Sequence, residues 1–172
     1  MPQTVTFHAS EAVFDATAQY RYWLSREWDT TRPAVSFIML NPSRADASRP
    51  DPTVTRCLHF AMQWGFGRLV VVNLFAWRSP YPAELVQCGD PVGPENDRYL
   101  LRGVEESAVC IAAWGNHGRL RDRQQSVLAL LDQHPLMALA LTKTGAPRHP
   151  LYAPRDAQII PFHGPTEIPP RV

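Results

Sequence analysis

Cysteine, lysine and long apolar runs are all scarce in this chain of 172 residues, and each shortage excludes something. The three cysteines, Cys57, Cys88 and Cys110, are odd in number and lack C-x-x-C spacing, so they predict buried free thiols rather than a disulfide framework or a thiolate metal cage. The apolar runs fall far short of the ~18 residues that cross a bilayer, and no charged-then-apolar leader is read at the N-terminus. A soluble cytoplasmic chain without a membrane partner is expected. Lys143 is the sole lysine among 17 basic residues, which meet 16 acidic ones to give a net charge of +1. That balance excludes nucleic-acid coating through bulk charge, so any phosphate contact has to be local; arginine's planar fork suits it. An arginine-favouring codon bias explains the same excess.

The apolar content of 45% in a chain of this length fits one compact domain. Without repeats or a Gly/Ser linker, the reading is a single domain over residues 1–160 and a proline-rich surface tail over 161–172. Tyr20, Tyr22 and Leu24 alternate with Arg21, Trp23 and Ser25, which predicts a strand, antiparallel to the Val5–Phe7 region. Four apolar strands then follow, Val35–Leu40, Leu69–Val72, Val109–Ala113 and Leu136–Leu141. Between them lie helical stretches: one opened by Asp51-Pro52-Thr53 and closed by Gly65 and Gly67, one opened by Pro94, Glu95 and Asp97, and one over Leu120–Gln133. This rhythm predicts an α/β fold of three layers, αβα, with a central, mainly parallel four-stranded sheet and N-terminal antiparallel strands.

In such sheets ligands bind beyond the C-terminal ends of the strands. Past the four strands come Asn41-Pro42-Ser43-Arg44-Ala45-Asp46, Asn73-Leu74-Phe75-Ala76-Trp77-Arg78, Trp114-Gly115-Asn116-His117-Gly118, and the run from Thr142 to Tyr152 that holds Lys143, Arg148 and His149. Four polar and aromatic clusters in register with four strands are a stronger signal than any one loop. His117 stands between Gly115 and Gly118, which suggest a tight turn whose amides bind phosphate. Arg119, Arg121 and Arg123 do not share a helix face, so a solvated helix is the simpler reading. The sequence contains no H-x-x-x-H, H-E-x-x-H or paired Cys/His spacing, and neither metal nor cofactor is expected.

The order strand–Asn-Pro, strand–Asn-Leu, strand–Trp-Gly, then His-Pro-Leu, resembles the uracil-DNA glycosylase superfamily over about Val35 to Pro154. More closely, Tyr20-Arg21-Tyr22, Met39-Leu40-Asn41-Pro42-Ser43, Asp51-Pro52-Thr53, Asn73-Leu74-Phe75-Ala76, the Asp90–Asn96 segment, Ala113-Trp114-Gly115 and His149-Pro150-Leu151-Tyr152 resemble a bacterial and phage family, domain of unknown function 1643. The glycosylase resemblance implies that Asn41 positions an attacking water, Asn73 reads the base edge and His149 stabilises the oxygen of the departing base. Phe75 or Trp114 would stack on the ring, and Arg44, Lys143 and Arg148 would hold phosphate. Asp46, Asp51, Glu95, Asn96, His117 and Tyr152 are expected as supporting groups around the site.

The chemistry suits those residue types. Breaking an N-glycosidic bond puts positive charge on the sugar and negative charge on the base, so the site needs a donor at the base oxygen and a polar group near the anomeric carbon. Some features depart from the superfamily. Asn41 is an amide and cannot act as a general base, Met39 stands in place of glycine, and the histidine segment lacks the Ser-Pro that grips DNA phosphate. The expected activity is a slow N-glycosidase on a damaged or modified base. Its partner would be single-stranded or damaged DNA, RNA, a nucleoside or a nucleotide, and the chain itself a monomer or weak homodimer. The rivals are a non-catalytic base- or nucleotide-binding module and a different chemistry on a small metabolite.

Overall fold

The computed structural model describes residues 4–165, which form a seven-stranded mixed sheet with helices on both faces. The strands are β1 (Ala9–Phe14), β2 (Arg21–Glu27), β3 (Ala34–Met39), β4 (Arg68–Asn73), β5 (Val109–Ala112), β6 (Leu136–Ala138) and β7 (Ile160–Phe162), in the spatial order β1-β2-β4-β3-β5-β6-β7. The four strands β4, β3, β5 and β6 run parallel; β1, β2 and β7 add antiparallel edges.

Parallel strands covered on both faces are largely apolar, and each residue of β3 is buried, Ser36 being its one polar side chain. Val35, Phe37 and Met39 face helix α1 (Pro52–Gln63), together with Leu69 and Val71 of β4. Val70, Val72 and Ile38 face the opposite layer, built from α3 (Asn96–Glu105) and α4 (Arg123–Leu130). A short helix, α2 (Glu84–Gln87), lies in the connection after β4. Among the described residues no helix is long and apolar enough to cross a membrane. Helix α1 begins as its sequence predicts: Asp51 accepts from the Val54 amide at 2.9 Å, and Pro52 occupies the first helical position, where a missing N–H costs nothing.

Three expectations need correction. The strand paired with β2 is Ala9–Phe14, not Val5–Phe7. Strand β2 is buried from Arg21 through Arg26, and the Arg21 and Arg26 guanidinium groups donate to the Ala45 and Asp46 carbonyls of the loop folded over them. The helix expected over Leu120–Gln133 is split. A 3-10 segment, Gly115–Asp122, ends in two left-handed residues, Arg121 and Asp122, before α4 starts. Arg121 there donates to the Val86 and Gly89 carbonyls, while Arg123 turns inward, donating to the Leu74 carbonyl at 2.7 Å and pairing with Asp97 at 2.5 Å, so the solvated-helix reading fails for Arg123. Finally, the sheet extends past residue 160, because β7 pairs with β6 and buries Phe162; residues 166–172 of the expected tail lie outside the described residues.

Candidate functional site

The C-terminal ends of the parallel strands enclose a cavity of about 660 Å³ on the α1 side of the sheet. Its size is that of a small-molecule site. Met39 and Asn73, cross-strand neighbours in the β3–β4 ladder, both line it, with Val71 two residues back on the same face. The first turn of α1 contributes Asp51 and Val54; the loops after β5 and β6 contribute Trp114, His117, Thr142 and His149.

Asn73 is 1% exposed, and among the described residues neither its amide nitrogen nor its amide oxygen has a hydrogen-bond partner. A buried carboxamide left unpaired costs on the order of 1–3 kcal/mol for each unmet group, a cost that a bound ligand removes. The backbone under it is fixed: Asn96, fully buried, donates through its amide to the Asn73 and Leu74 carbonyls at 2.9 and 3.0 Å. Asn96 therefore supports the site from beneath.

Asn41 has a different environment. Its amide nitrogen donates to the carbonyls of Pro42, Trp77 and Ser79 at 3.2, 3.2 and 2.8 Å, tying the loop after β3 to the loop after β4. Three carbonyls fix the amide's orientation, so the oxygen is the atom left to act as acceptor toward the cavity that Asn41 lines.

His149 also has a fixed orientation. Its Nδ1 accepts from the Leu151 amide at 3.2 Å, so in the neutral ring the proton sits on Nε2. Burial holds its pKa below the ordinary histidine value, opposed by the carboxylate of Asp51, and the ring is a neutral donor at neutral pH. Its loop is anchored twice. Arg56 of α1 donates to the Pro150 and Ala153 carbonyls, and Thr142 and Thr144 both donate to the Asn116 amide oxygen, joining the loops after β5 and β6.

Trp114 lines the cavity but is 1% exposed, its indole N–H donating to Gln124 Oε1 at 3.2 Å and its ring edge-on to Phe162. Gly118 makes this packing possible: a Cβ there would stand 2.2 Å from Trp114 Cδ1. Gly115, with φ +71°, spends its amide on the Pro147 carbonyl at 2.8 Å, so the pair of glycines serves loop closure and indole packing rather than a phosphate cradle.

The other expected residues divide cleanly. Asp51, Arg148, His117 and Tyr152 line the cavity, and Asp51 is the one carboxylate among the lining residues. Asp46 does not line it. Its carboxylate accepts from the Ser48 amide and hydroxyl and from the Arg49 amide, which holds its pKa down at about 2. Glu95 is exposed and paired with Arg98, away from the cavity. Phe75 is corrected outright: fully buried, it packs in the core facing α3, and no ring-stacking surface is left. Arg44 and Lys143 are exposed and outside the lining, so Arg148 alone of the three expected phosphate holders reaches the cavity.

Sequence reading missed Arg21, which lines the cavity at 2% exposure, and Asn116 and Thr142. Arg21 did stand in a segment that carried the family resemblance, but its alternation was read only as the mark of a strand. Among the described residues no group of three His, Cys, Asp or Glu side chains is arranged to hold a metal ion.

No curated protein and no solved structure matches the chain. A family model described as "protein of unknown function (DUF1643)" matches residues 21–151, a span that opens at Arg21 and closes two residues after His149. The chain belongs to the DUF1643 family.

Proposed function

We propose that the cavity binds a nucleobase and that the protein is an N-glycosidase acting on a damaged or modified base in nucleic acid or in a nucleoside, similar in design to the uracil-DNA glycosylases. The observation that carries this reading is Asn73: a buried carboxamide, unpaired, lining a cavity at the end of a parallel strand. One acceptor and two donors on a rigid plane match the edge of a base that offers N–H beside C=O. The cavity's position past the C-terminal ends of four parallel strands, where ligands of such sheets bind, supports the reading of a ligand site.

In this reaction the bond between the anomeric carbon and the base nitrogen breaks, and its electron pair leaves with the base. The neutral Nε2–H of His149 stabilises the negative charge that grows on the base oxygen. Water adds its oxygen to the anomeric carbon and gives one proton to solvent, while the base takes one up, so the products are the sugar hemiacetal and the free base. The Asn41 oxygen orients that water, and the Asp51 carboxylate offsets positive charge on the sugar, the role that an amide at Asn41 does not fill. Tyr152, whose side chain is exposed, supplies an aromatic wall, and Arg148 at the rim meets phosphate.

The test is a mass-spectrometric screen for released base, with oligonucleotides and nucleosides carrying uracil, hypoxanthine, oxidised and bulky modified bases. Release by the wild type that is lost in His149→Ala is the expected result. Binding without release from any of them would contradict the glycosidase and leave a recognition module; neither binding nor release would contradict both.

A further inference from the structure

Arg21 has no part in the base-release chemistry, yet it is the most unusual charge in the cavity. Two other arginines are similarly buried, and each is accounted for. Arg123 pairs with Asp97, and Arg26, outside the cavity lining, donates to the Ser25 and Asp46 carbonyls and so clamps the loop after β3. Among the described residues the Arg21 guanidinium has one bond, from Nη1 to the Ala45 carbonyl at 2.9 Å; its Nε–H has no partner, and no carboxylate lies within ion-pair distance of it. A guanidinium carries five N–H donors, and leaving a buried charged group with an unmet donor is costly. Burial pushes its pKa down to about 10, so it stays a cation at neutral pH.

Its place in the sheet gives the direction. Strand β2 runs antiparallel to β4, which sets the first residue of β2 beside the C-terminal end of β4, where Asn73 stands. Neighbouring strands lie roughly 5 Å apart. Along the strand order β2-β4-β3-β5-β6 the cavity is therefore lined by Arg21, Asn73, Asn41, Trp114 and, past β6, His149. Arg21 and His149 occupy opposite ends of that row.

We propose that Arg21 is an anion subsite, and that the ligand carries an oxyanion, a carboxylate or a phosphate, at the end remote from His149. With Asn73 reading a base edge, the substrate class becomes an acidic base or a nucleotide rather than a neutral nucleoside; this part rests on the base-binding reading of the cavity. The guanidinium fork takes either anion in two parallel charge-assisted bonds, which a neutral amide or ester in the same position does not form.

Calorimetric titration of the wild type compares matched pairs: a pyrimidine carboxylate against its carboxamide, and uridine monophosphate against uridine, with benzoate and inorganic phosphate as anions lacking a base. We expect one anionic member to bind at least about tenfold more tightly than its neutral partner, and which pair shows it identifies the anion. Arg21→Gln should reduce that preference to within about twofold, with Arg21→Lys retaining part of it. Equal affinity within both pairs, or no anion binding at all, overturns the proposal without recourse to any variant. An Arg21-dependent affinity for benzoate or phosphate that no pyrimidine improves upholds the subsite while contradicting the base-binding reading.

Discussion

Two asparagines end two adjacent parallel strands of this sheet, and they are opposites. Asn41, after β3, has an amide nitrogen claimed by three carbonyls; Asn73, at the end of β4, has neither polar atom satisfied. Both line the same cavity. One side chain holds the protein together and offers its oxygen as a by-product, whereas the other is retained against stability. A buried group without a partner is evidence for a ligand in a way that a well-satisfied one is not, because folding alone gives no reason to keep it.

The largest expected effect is on Asn73. Asn73→Leu should abolish base binding, a loss of at least about a hundredfold, while leaving unfolding stability unchanged or raised by about 1 kcal/mol, since an apolar side chain replaces unmet donors and acceptors. Asn41→Ala should act with the opposite sign, lowering stability by about 1–3 kcal/mol because three carbonyls lose their donor. Urea unfolding of the two variants side by side checks this. If both destabilise alike, the contrast is wrong.

A second site sharpens the contrast from the other end of the cavity. Gly118→Ala should displace the Trp114 indole and cost about 1–3 kcal/mol, read as a lower urea midpoint and altered tryptophan fluorescence. The smallest effect concerns His149. Because its folded pKa lies below the ordinary value near 6.5, the unfolded chain binds the extra proton first, so stability is full above about pH 6.5 and falls as the pH drops through the lowered pKa. His149→Gln should flatten that part of the stability–pH curve; an unchanged slope would assign the titration elsewhere.

Much of this arrangement was legible in the residues. Apolar runs of four to six residues announced the parallel strands, Asp51-Pro52 announced α1, and the asparagines after β3 and at the end of β4 stood where ligands bind. What was not legible has a common cause. Period-2 alternation marks β2 as a strand without telling that both its faces are covered, so it did not reveal that Arg21 is buried against the loop after β3. Phe75 follows β4 by two residues, but the chain turns there and sends both Leu74 and Phe75 into the α3-side core. Arg123 was misjudged because a left-handed break, not a continuous helix, sets where it points. The roles of Asn96 and Arg123 depend on backbone carbonyls of Asn73 and Leu74, partners more than twenty residues away that no local pattern encodes.

The account turns on whether Asn73 is kept for a ligand. Calorimetric titration of the wild type and of Asn73→Leu with free bases, nucleosides and nucleotides tests this most directly. The account predicts that at least one of them binds the wild type and that the variant, equally or more stable, does not bind it. A variant that binds as well as the wild type, or a wild type that binds none of them, would contradict it.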